Sequence, residues 1–543
     1  MNFWLQHLAI APIALPLVAG AVMITMDDQR GRLRSALGIA SALALLVIAI
    51  ALATLAHQGG DGGGLTTVYR LGDWPAVFGI VLVVDRLSAL MLVLTALLGL
   101  AALTYSLTRW QRMGSHFHAL FQFQLMGLNG AFLTGDLFNL FVFFEVLLAA
   151  SYGLAMHGSG VARVRAGLHY IAINLAASLL FLIGVSMIYG IAGTLNMADL
   201  AARIPYLPAE DRPLLEAGAA ILAVAFLVKA AMWPLGFWLA PTYSAASPPA
   251  AAIFSLMSKV GVYAILRISL LLFGAEAGDS AGFGETFLLI GGIATIGFGA
   301  VSVLATQDLS RLAGAGVLIS SGTLLAAVGA GQLTVTAGAL FYLASSALAT
   351  GALFLLIELM ERGRDVGADV LAVTLEAFGD GEEEDAFGEE EVAVPIPATM
   401  ALIGISFLGC ALLLAGLPPL SGFLAKFAML SGILNPSGLG EGPSTISPGG
   451  WALLVALVLS GLATVLAMTR AGIRSLWANS GRSVPRIGVI EIAPVLALLL
   501  ICCTMTAAAG PVMRYMQATA ATLHAPQDYV RQVMGPQAME RAP

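Results

Sequence analysis

Three lysines lie alone inside long hydrophobic segments, and they are all the lysines that the sequence contains: Lys229, Lys259 and Lys426. The chain has 25 basic residues, so arginine supplies every cation in the loops between those segments. An arginine stays protonated under ordinary conditions, whereas a buried lysine can release its proton near neutral pH. Ionisable side chains at membrane depth are costly and usually mark an ion pathway. The placement of the lysines therefore indicates proton transfer.

The segment "TGDLFNLFVFFEVLLAASYGL" (134–154) places one carboxylate, Glu145, in the middle of a hydrophobic run. A buried carboxylate and a buried ammonium stabilise each other's charge, so we expect Glu145 to pair with Lys229. Moving either partner would change the proton affinity of the other, which could couple a proton step to motion. A purely structural ion pair is the alternative. Asp136, with Asn139 beside it, is expected to cap the start of the helix.

Prolines interrupt two of the three segments that carry a lysine. The first break lies in "FLVKAAMWPLGFWL" (226–239) and contains Pro234, and the second lies in "GLPPLSGFLAKF" (416–427) and contains Pro418 and Pro419. Because proline has no N–H group, each is expected to free the helical carbonyl four residues before it. Broken helices at membrane depth are tolerated where they line a wet cavity. We therefore predict hydrated half-channels that reach a lysine from one side.

Other polar residues are weaker candidates for proton transfer. His169 lies near the start of one hydrophobic segment, and Ser345 and Ser346 lie inside another. The segment before those serines offers Ser320 and Ser321. Hydroxyl groups can hold a file of water molecules but do not titrate, so a role in helix packing is the alternative for each.

The composition is that of a polytopic membrane protein. Hydrophobic residues make up 59% of the chain and charged residues 10%, against about 25% charged residues in a soluble domain. The mean hydropathy is +0.91. Cys410, Cys502 and Cys503 have no metal-ligand spacing, and we expect them to be small core residues. The sequence therefore predicts no metal site, no cofactor and no nucleic-acid partner.

Hydrophobic segments of about 20 residues predict the fold, because a helix of that length spans a bilayer. We predict an all-α polytopic membrane protein with about fourteen transmembrane helices, of which the seventh and twelfth are broken. The predicted spans are 8–26, 34–56, 79–107, 117–134, 136–156, 165–192, 214–240, 248–274, 283–306, 309–330, 334–361, 396–434, 450–477 and 487–516. The first segment lacks a positive flank and is predicted to be a span, not a cleaved signal. The Gly-rich stretch 57–75 is predicted to be an exposed loop.

The arginines predict the orientation of the chain. They concentrate in the loops that follow odd-numbered spans, which the positive-inside rule places in the cytoplasm. Both termini then lie outside the cytoplasm, and the expected location is a bacterial inner membrane. The acidic stretch "GDGEEEDAFGEEE" (379–391) falls in the predicted cytoplasmic loop 363–394. We expect a solvated, disordered insert there, with a cation-collecting role as the alternative.

The two proline breaks also suggest an internal duplication. Each half of the chain carries one interrupted segment with a lysine, which is typical of inverted repeats with a site between them. We therefore divide the chain into four parts. These are N-terminal helices 1–3 (1–116), a first repeat of helices 4–8 (117–274), a second repeat of helices 9–13 (275–478), and helix 14 with the tail (479–543).

Three motifs carry a resemblance to a known family. They are the segment 134–154, "FLVKAAMWPLGFWLAPTYSAASPPAAAIFSLMSKVGVYAILR" (226–267) and "LAGLPPLSGFLAKF" (414–427). They resemble the antiporter-like membrane subunits shared by respiratory complex I and the Mrp-type multisubunit cation/proton antiporters. The resemblance extends over about residues 80–480. The first motif, the chain length and the acidic insert are most similar to the Mrp type.

This resemblance implies two inverted five-helix repeats and a hydrophilic axis at mid-membrane. It implies that Glu145, Lys229, Lys259 and Lys426 form a proton-transfer chain. It also implies a complex of about six or seven different membrane subunits that expels Na⁺ or K⁺ in exchange for entering H⁺. Relatives often carry a histidine near Ser345, so here the proton would have to cross through water and hydroxyls.

Two other functions stay open at this point. One is a proton-pumping membrane subunit of a redox-driven NADH dehydrogenase, which would itself bind no NAD or quinone. The other is an inert scaffold whose lysines only pack against neighbouring helices. In the leading interpretation the chain is a secondary-transporter subunit and not an enzyme.

Overall fold

Helices account for almost all the regular structure in the computed structural model. The structure describes residues 7–27, 30–58, 66–114, 116–362, 398–436, 445–477 and 487–535. These ranges contain nineteen α-helices and one two-stranded antiparallel sheet. Eleven of the helices are long and apolar enough to cross a membrane, which confirms the predicted class. The acidic stretch 379–391 lies outside the described residues.

The first half of the chain leads to the first two lysines. Its elements are α1 (Ala11–Thr25), α2 (Gly31–His57), β1 (Thr67–Arg70), β2 (Val81–Val84), α3 (Arg86–Ser106), α4 (Phe117–Leu133), α5 (Leu137–Ala155), α6 (Val161–Ala192), α7 (Met197–Arg203), α8 (Arg212–Lys229), α9 (Leu239–Ala245) and α10 (Pro248–Leu272). Glu145 lies on α5, Lys229 is the last residue of α8, and Lys259 lies on α10.

The second half supplies the third lysine and the serines. Its elements are α11 (Glu285–Ala305), α12 (Leu309–Gly329), α13 (Leu333–Glu361), α14 (Ala398–Ala415), α15 (Ser421–Leu434), α16 (Pro448–Gly472), α17 (Val489–Ala507), α18 (Ala509–His524) and α19 (Gln527–Met534). Ser345 and Ser346 lie on α13, and Lys426 lies on α15.

Each predicted span falls on one helix or on two helices separated by a break. The seventh predicted span is divided into α8 and α9, and the twelfth into α14 and α15, which confirms both predicted breaks. Two predicted spans fall on single helices that are comparatively short, α1 with 15 residues and α4 with 17 residues. The count of fourteen membrane crossings and the two inverted repeats stay predictions.

The stretch before α3 differs from the prediction. Strands β1 and β2 pair as an antiparallel ladder with Thr67 opposite Val84, where the sequence predicted an exposed loop and the start of the third span. The buried residues of β2 read Val-Leu-Val-Val, and β-branched residues fit a pleated, buried surface. Asp85 then accepts a hydrogen bond from the N–H group of Ser88 at 2.8 Å and caps α3. The third long helix therefore begins at Arg86 and not at residue 79.

The helices around Lys259 form the buried centre of the molecule. The most apolar 18-residue stretches of α10 and α13 are completely buried, and that of α12 is almost completely buried. In α6 and α17, most residues of the corresponding stretch are not fully buried. A helix that is enclosed on every side needs no polar face. Polar side chains on α10, α12 and α13 therefore have only protein groups and bound water as partners.

The last two helices, α18, which begins inside the last predicted span, and α19, fold back onto the rest of the chain. Tyr515 of α18 donates through its hydroxyl to the carbonyl of Arg86 at 2.7 Å, and His524 lies 3.1 Å from Thr336 Oγ1. Arg70 of the hairpin donates to a carbonyl of α19 at 2.9 Å. The sequence predicted that the last span would continue to residue 516 and be followed by a tail, whereas the structure ends one helix at Ala507 and begins another at Ala509. This C-terminal segment connects the hairpin with the starts of α3 and α13.

Candidate functional site

The helix that carries Lys229 ends at that residue. The N–H group of Met232 bonds to the carbonyl of Leu227 at 3.0 Å, and the N–H group of Ala231 bonds to the same last turn at 3.1 Å. This pattern is a Schellman ending, in which Ala231 adopts a left-handed conformation with φ +57°. The helix has therefore ended before Pro234. The predicted break is confirmed, but the proline follows it instead of causing it.

A neighbouring helix approaches the end of α8 very closely. A Cβ atom at Gly261 of α10 would lie 2.6 Å from Ala230 N and 2.7 Å from Phe226 O. Only glycine allows the two backbones to come this near. The carbonyl of Ala230 accepts no hydrogen bond from any residue that the structure describes, as the sequence predicted. A water molecule is the natural partner for that carbonyl.

Lys229 is buried, and its ammonium nitrogen has no hydrogen-bond partner within the described residues. Its Nζ atom lies 5.0 Å from the centre of the Phe144 ring, a distance at which a cation is attracted to an aromatic face. The negative end of the α8 dipole also stabilises a positive charge at this position. Buried polar groups without a protein partner are normally satisfied by ordered water. Among the described residues, no protein group therefore holds the Lys229 amine by a hydrogen bond.

Glu145 does not make the predicted contact with Lys229. Its carboxylate accepts a hydrogen bond from Ser178 of α6, and its side chain is half-buried. Neighbouring residues on a helix point about 100° apart, so Phe144 faces the lysine and Glu145 faces α6. The predicted direct ion pair is wrong. Glu145 is nevertheless the next residue along α5 from Phe144, whose ring lies beside the lysine.

Lys259 is the most deeply buried of the three lysines, with 2% of its surface exposed. Its Nζ atom donates to Ser320 Oγ on α12 at 2.8 Å. Ser320 Oγ lies 2.9 Å from Ser346 Oγ on α13, and Ser346 donates to the carbonyl of Leu343 at 3.3 Å. Three predicted candidates, Lys259, Ser320 and Ser346, thus form one hydrogen-bonded series.

The second broken helix ends in a similar way to the first. The N–H group of Leu417 bonds to the carbonyl of Leu412 at 3.0 Å, and Gly416 is left-handed with φ +76°. Pro418 and Pro419 follow within the irregular stretch before α15. The prolines therefore lie inside the predicted break and prevent the helix from continuing.

Lys426 binds a carbonyl that the sequence predicted to be free. Its Nζ atom donates to the carbonyl of Ala415, the last residue of α14, at 2.9 Å. Helical side chains tilt toward the start of their helix, so a lysine on α15 can reach back across the break. A Cβ atom at Gly416 would lie 2.6 Å from the Lys426 side chain, and one at Gly461 would lie 3.5 Å from Nζ. Glycines therefore make room for this contact.

A further pair of hydroxyls links α13 to the second break. Ser345 Oγ lies 2.8 Å from Ser421 Oγ, and both serines are almost completely buried. Sequence reasoning selected Ser345 but missed Ser421. The signal for Ser421 was its position two residues after Pro419 in a hydrophobic segment, where a helix starts again.

His169 lies away from these buried groups. It is exposed on α6, and its Nδ1 atom lies 3.0 Å from the carbonyl of Arg165 one turn earlier. Its neighbour Tyr170 is the residue that points inward. The helix is apolar on every side, so its sequence did not indicate which face is buried. We therefore leave His169 out of the candidate site.

Several predictions concerned structural roles. Asp136 accepts a hydrogen bond from the N–H group of Asn139 at 2.9 Å, which confirms the predicted cap. Cys410 and Cys502 are buried as expected, but Cys503 is exposed, because adjacent residues on α17 point in different directions. Within the described ranges, no group of three or more His, Cys, Asp or Glu side chains could hold a metal ion.

One buried ion pair outside the lysine series was not predicted. Arg267 at the end of α10 lies 2.6 Å from the carboxylate of Asp85, and its guanidinium also lies over the ring of Tyr529 in α19. Burial raises the pKa of the Asp85 carboxyl, while Arg267 and Ser88 lower that pKa, and the net direction is downward. Asp85 therefore stays charged and connects α3, α10 and the C-terminal segment.

Residues 134–439 match a family described as NADH:quinone oxidoreductase/Mrp antiporter, TM. This range contains Glu145, all three lysines and both serine contacts. The part of the chain that matches this family therefore contains the candidate residues described above.

Two relatives are similar over nearly the whole chain. One, from Rhizobium meliloti (strain 1021), is named as part of a probable K(+)/H(+) antiporter and is 58% identical over 534 residues, which cover 98% of each chain. The other, from Alkalihalophilus pseudofirmus (strain ATCC BAA-2126 / JCM 17055 / OF4), is named as part of a Na(+)/H(+) antiporter and is 33% identical over 98% of this chain and 100% of its own. Among solved structures, a chain of the Mrp complex from Dietzia sp. DQ12-45-1b has a TM-score of 0.81 at 25% identity, covering 98% of this chain and 100% of its own.

Proposed function

Because the chain belongs to the family shared by NADH:quinone oxidoreductases and Mrp antiporters, we propose that it is the proton-conducting subunit of a multisubunit antiporter that exchanges Na⁺ or K⁺ for H⁺. Family membership confirms the resemblance drawn from the three motifs. The two relatives above are named as antiporter subunits for K⁺ and for Na⁺, and we infer the same kind of assembly here. The chain would work with other Mrp-type membrane subunits in a bacterial inner membrane, with both termini outside the cytoplasm.

The observation that carries the proposal is the unpartnered ammonium of Lys229. Burying a charge without a partner is costly, and a purely structural lysine would be expected to have one. A proton carrier must instead exist both as an ammonium and as a neutral amine. A position at a helix end, beside an unbonded carbonyl, supports both forms when water is present.

In the proposed path the proton passes along Glu145, Lys229, Lys259 and Lys426. Each lysine accepts the proton as an amine and releases it as an ammonium, which arginine could not do. The first repeat (117–274) would supply the first three of these residues and the second repeat (275–478) the last. The half-buried carboxylate of Glu145 would influence Lys229 by its charge, not by direct contact.

A redox-driven proton pump is the second candidate function, because the matching family includes NADH:quinone oxidoreductases. The 58% identity to a component of a K⁺/H⁺ antiporter over nearly the full length favours antiport. Purification of the native complex distinguishes the two. Antiport requires small membrane subunits as the co-purifying partners, whereas a redox pump requires flavin- or iron–sulfur-containing subunits.

The test of the proposal is cation/proton exchange in everted vesicles that contain the whole complex. We expect Lys229→Arg to abolish both Na⁺- and K⁺-driven exchange while the complex still assembles, because arginine keeps the charge but not the proton release. Arg470→Lys is the matched control, since Arg470 is exposed and donates only to carbonyls of Leu304 and Thr306. Normal exchange in the Lys229→Arg complex would contradict the proposal.

A further inference from the structure

Helix α13 lies between the helices that carry Lys259 and Lys426, since it packs against both α10 and α15. Two pairs of buried hydroxyls connect α13 to neighbouring helices, with one serine of each pair on α13 itself. We call Ser320 and Ser346 the first serine pair, with Oγ atoms 2.9 Å apart, and Ser345 and Ser421 the second serine pair, with Oγ atoms 2.8 Å apart. Serines buried this deeply in a membrane helix are costly unless bonded, and here they bond across helices.

We propose that a proton crosses α13 from Lys259 to Lys426 through the two serine pairs, which are joined only when Ser346 turns away from its carbonyl partner. The inference rests on the proposed function and adds the residues that replace a titratable group at this point of the path. It makes Ser346 the switching residue of the crossing.

The direction of the hydrogen bonds supports this. Lys259 has only protons to donate when charged, so it donates to Ser320. Ser346 donates its single proton to the carbonyl of Leu343, so in the 2.9 Å contact Ser320 must be the donor. All three bonds point away from Lys259. The series ends at a carbonyl, however, and an amide carbonyl cannot pass a proton on.

The bond at that end is also the weakest of the series. Ser346 Oγ lies 3.3 Å from the Leu343 carbonyl, whereas hydroxyl donors usually lie about 2.7–2.8 Å from their acceptors. The other contacts in the series measure 2.8 Å and 2.9 Å. The Ser346 hydroxyl can therefore turn to another acceptor at little cost in free energy.

The second serine pair lies on the neighbouring face of α13. Ser345 and Ser346 are adjacent, so their side chains point about 100° apart, and the proposed path needs a bridging water between them to join the two pairs. Ser421 begins α15 at the second break. The Lys426 ammonium reaches back to the same break, where it binds Ala415.

The proposed transfer conserves protons at every atom. Lys259 loses one N–H proton to Ser320, and each serine and the bridging water gain one O–H bond while giving up another. The neutral amine of Lys426 takes up the last proton, so the two lysines exchange charge states. The hydroxyls then point the opposite way and must turn back before the next transfer.

The experiment measures exchange by the whole complex in everted vesicles with single serine substitutions. We expect Ser346→Ala, Ser320→Ala and Ser421→Ala each to slow exchange at least about tenfold, the order expected for loss of a positioned proton-transfer group, with normal assembly. Ser106→Ala is the matched control, because the Ser106 hydroxyl is equally buried but donates to the carbonyl of Leu103 in its own helix. It should leave exchange within about twofold of normal.

Two further variants separate proton transfer from packing. Ser346→Thr keeps a hydroxyl and Ser346→Val replaces it with a methyl group of the same shape, so exchange should survive in the first and fall in the second. An equal loss in both would assign Ser346 to packing and overturn the inference.

Lys259→Ala in the same vesicles distinguishes this inference from the proposed function. Loss of exchange with Lys259→Ala, together with normal exchange in all three serine-to-alanine variants, would overturn the serine path and leave the proposed function standing. Normal exchange with Lys259→Ala would overturn the proposed function itself.

Discussion

The two broken helices end alike but hold their lysines differently. In each, the first half of the helix closes with a left-handed residue, Ala231 in one and Gly416 in the other. Lys229 is the last residue before its break and has no partner in the described part of the chain. Lys426 comes after its break and donates to the carbonyl of Ala415. Both ammonium groups nevertheless lie at the negative end of a helix.

Under the proposed function, this difference would give two kinds of proton station. A hydrogen bond to a charged group contributes about 1.5–3 kcal/mol, and Lys426 must give up such a bond before its nitrogen can serve another partner. Lys229 makes no such bond, so water alone can exchange its proton. Two similar sequence motifs thus hold one lysine without a hydrogen bond in the described part of the chain and one with a hydrogen bond to a carbonyl.

The strongest test of this comparison replaces each lysine with methionine. We expect exchange to fall at least about tenfold in both Lys229→Met and Lys426→Met. Their stabilities should differ. Lys426→Met leaves the Ala415 carbonyl unpaired, at a cost of about 1–3 kcal/mol, whereas Lys229→Met removes a buried unpaired charge and should be neutral or stabilising. The midpoint of thermal unfolding of the purified complex measures this.

Equal shifts of that midpoint in the two methionine variants would remove the distinction between the stations. Arg470→Lys again serves as the control, because its contacts with backbone carbonyls are exposed. It should change neither exchange nor the unfolding midpoint.

The glycines that face the two breaks provide the next test. A Cβ atom at Gly261 would meet backbone atoms of α8 at 2.6 Å and 2.7 Å, whereas one at Gly461 would stand 3.1 Å from the Ala415 carbonyl. Gly261→Ala should therefore lower stability by about 1–3 kcal/mol through overpacking and slow exchange, because α8 and α10 carry Lys229 and Lys259. Gly461→Ala should have a clearly smaller effect on both measurements. The reverse order would show that the first break is the looser of the two.

In the proposed path, Glu145 acts on the lysine of the first break and not on that of the second. This difference gives a test through Ser178. Ser178→Ala removes the hydroxyl that donates to the Glu145 carboxylate, and we expect exchange to slow several-fold because a bond to a charged group is lost. Ser406→Ala is the control, since Ser406 donates only to Leu402 in its own helix. If both variants exchange equally well, the bond between Ser178 and Glu145 has no role in transfer.

The smallest effect on stability is expected from substitutions at the two left-handed residues. A left-handed conformation costs a residue with a Cβ atom roughly 1 kcal/mol relative to glycine. Ala231→Gly should therefore raise the unfolding midpoint slightly, and Gly416→Ala should lower it by more, because the added Cβ would also lie 2.6 Å from the Lys426 side chain. Destabilisation by Ala231→Gly would show that the flexibility of the unfolded chain outweighs the strain.

The sequence was sufficient to predict features that a single residue type signals within a hydrophobic segment. All three lysines are buried as expected, since an isolated amine in an apolar segment is conspicuous. Both breaks lie where prolines interrupt a segment. Predicting these features required no knowledge of which helices are neighbours.

The contacts between helices were harder to predict. The ring of Phe144 takes the place beside Lys229 that was expected for Glu145, and Ser421 proved to be the partner of Ser345. Such choices depend on which side of a uniformly apolar helix faces inward, and hydrophobic periodicity carries that information poorly in a membrane protein. The same cause explains why His169 was selected although it is exposed.

The return of the C-terminal segment has a consequence for how the protein is made. The carbonyl of Arg86 accepts a hydrogen bond from the hydroxyl of Tyr515, and Thr336 contacts His524. A ribosome synthesises chains from the N-terminus, so these contacts form only after the segments that carry all three lysines have been made. The starts of α3 and α13 therefore pass through biogenesis without their final partners.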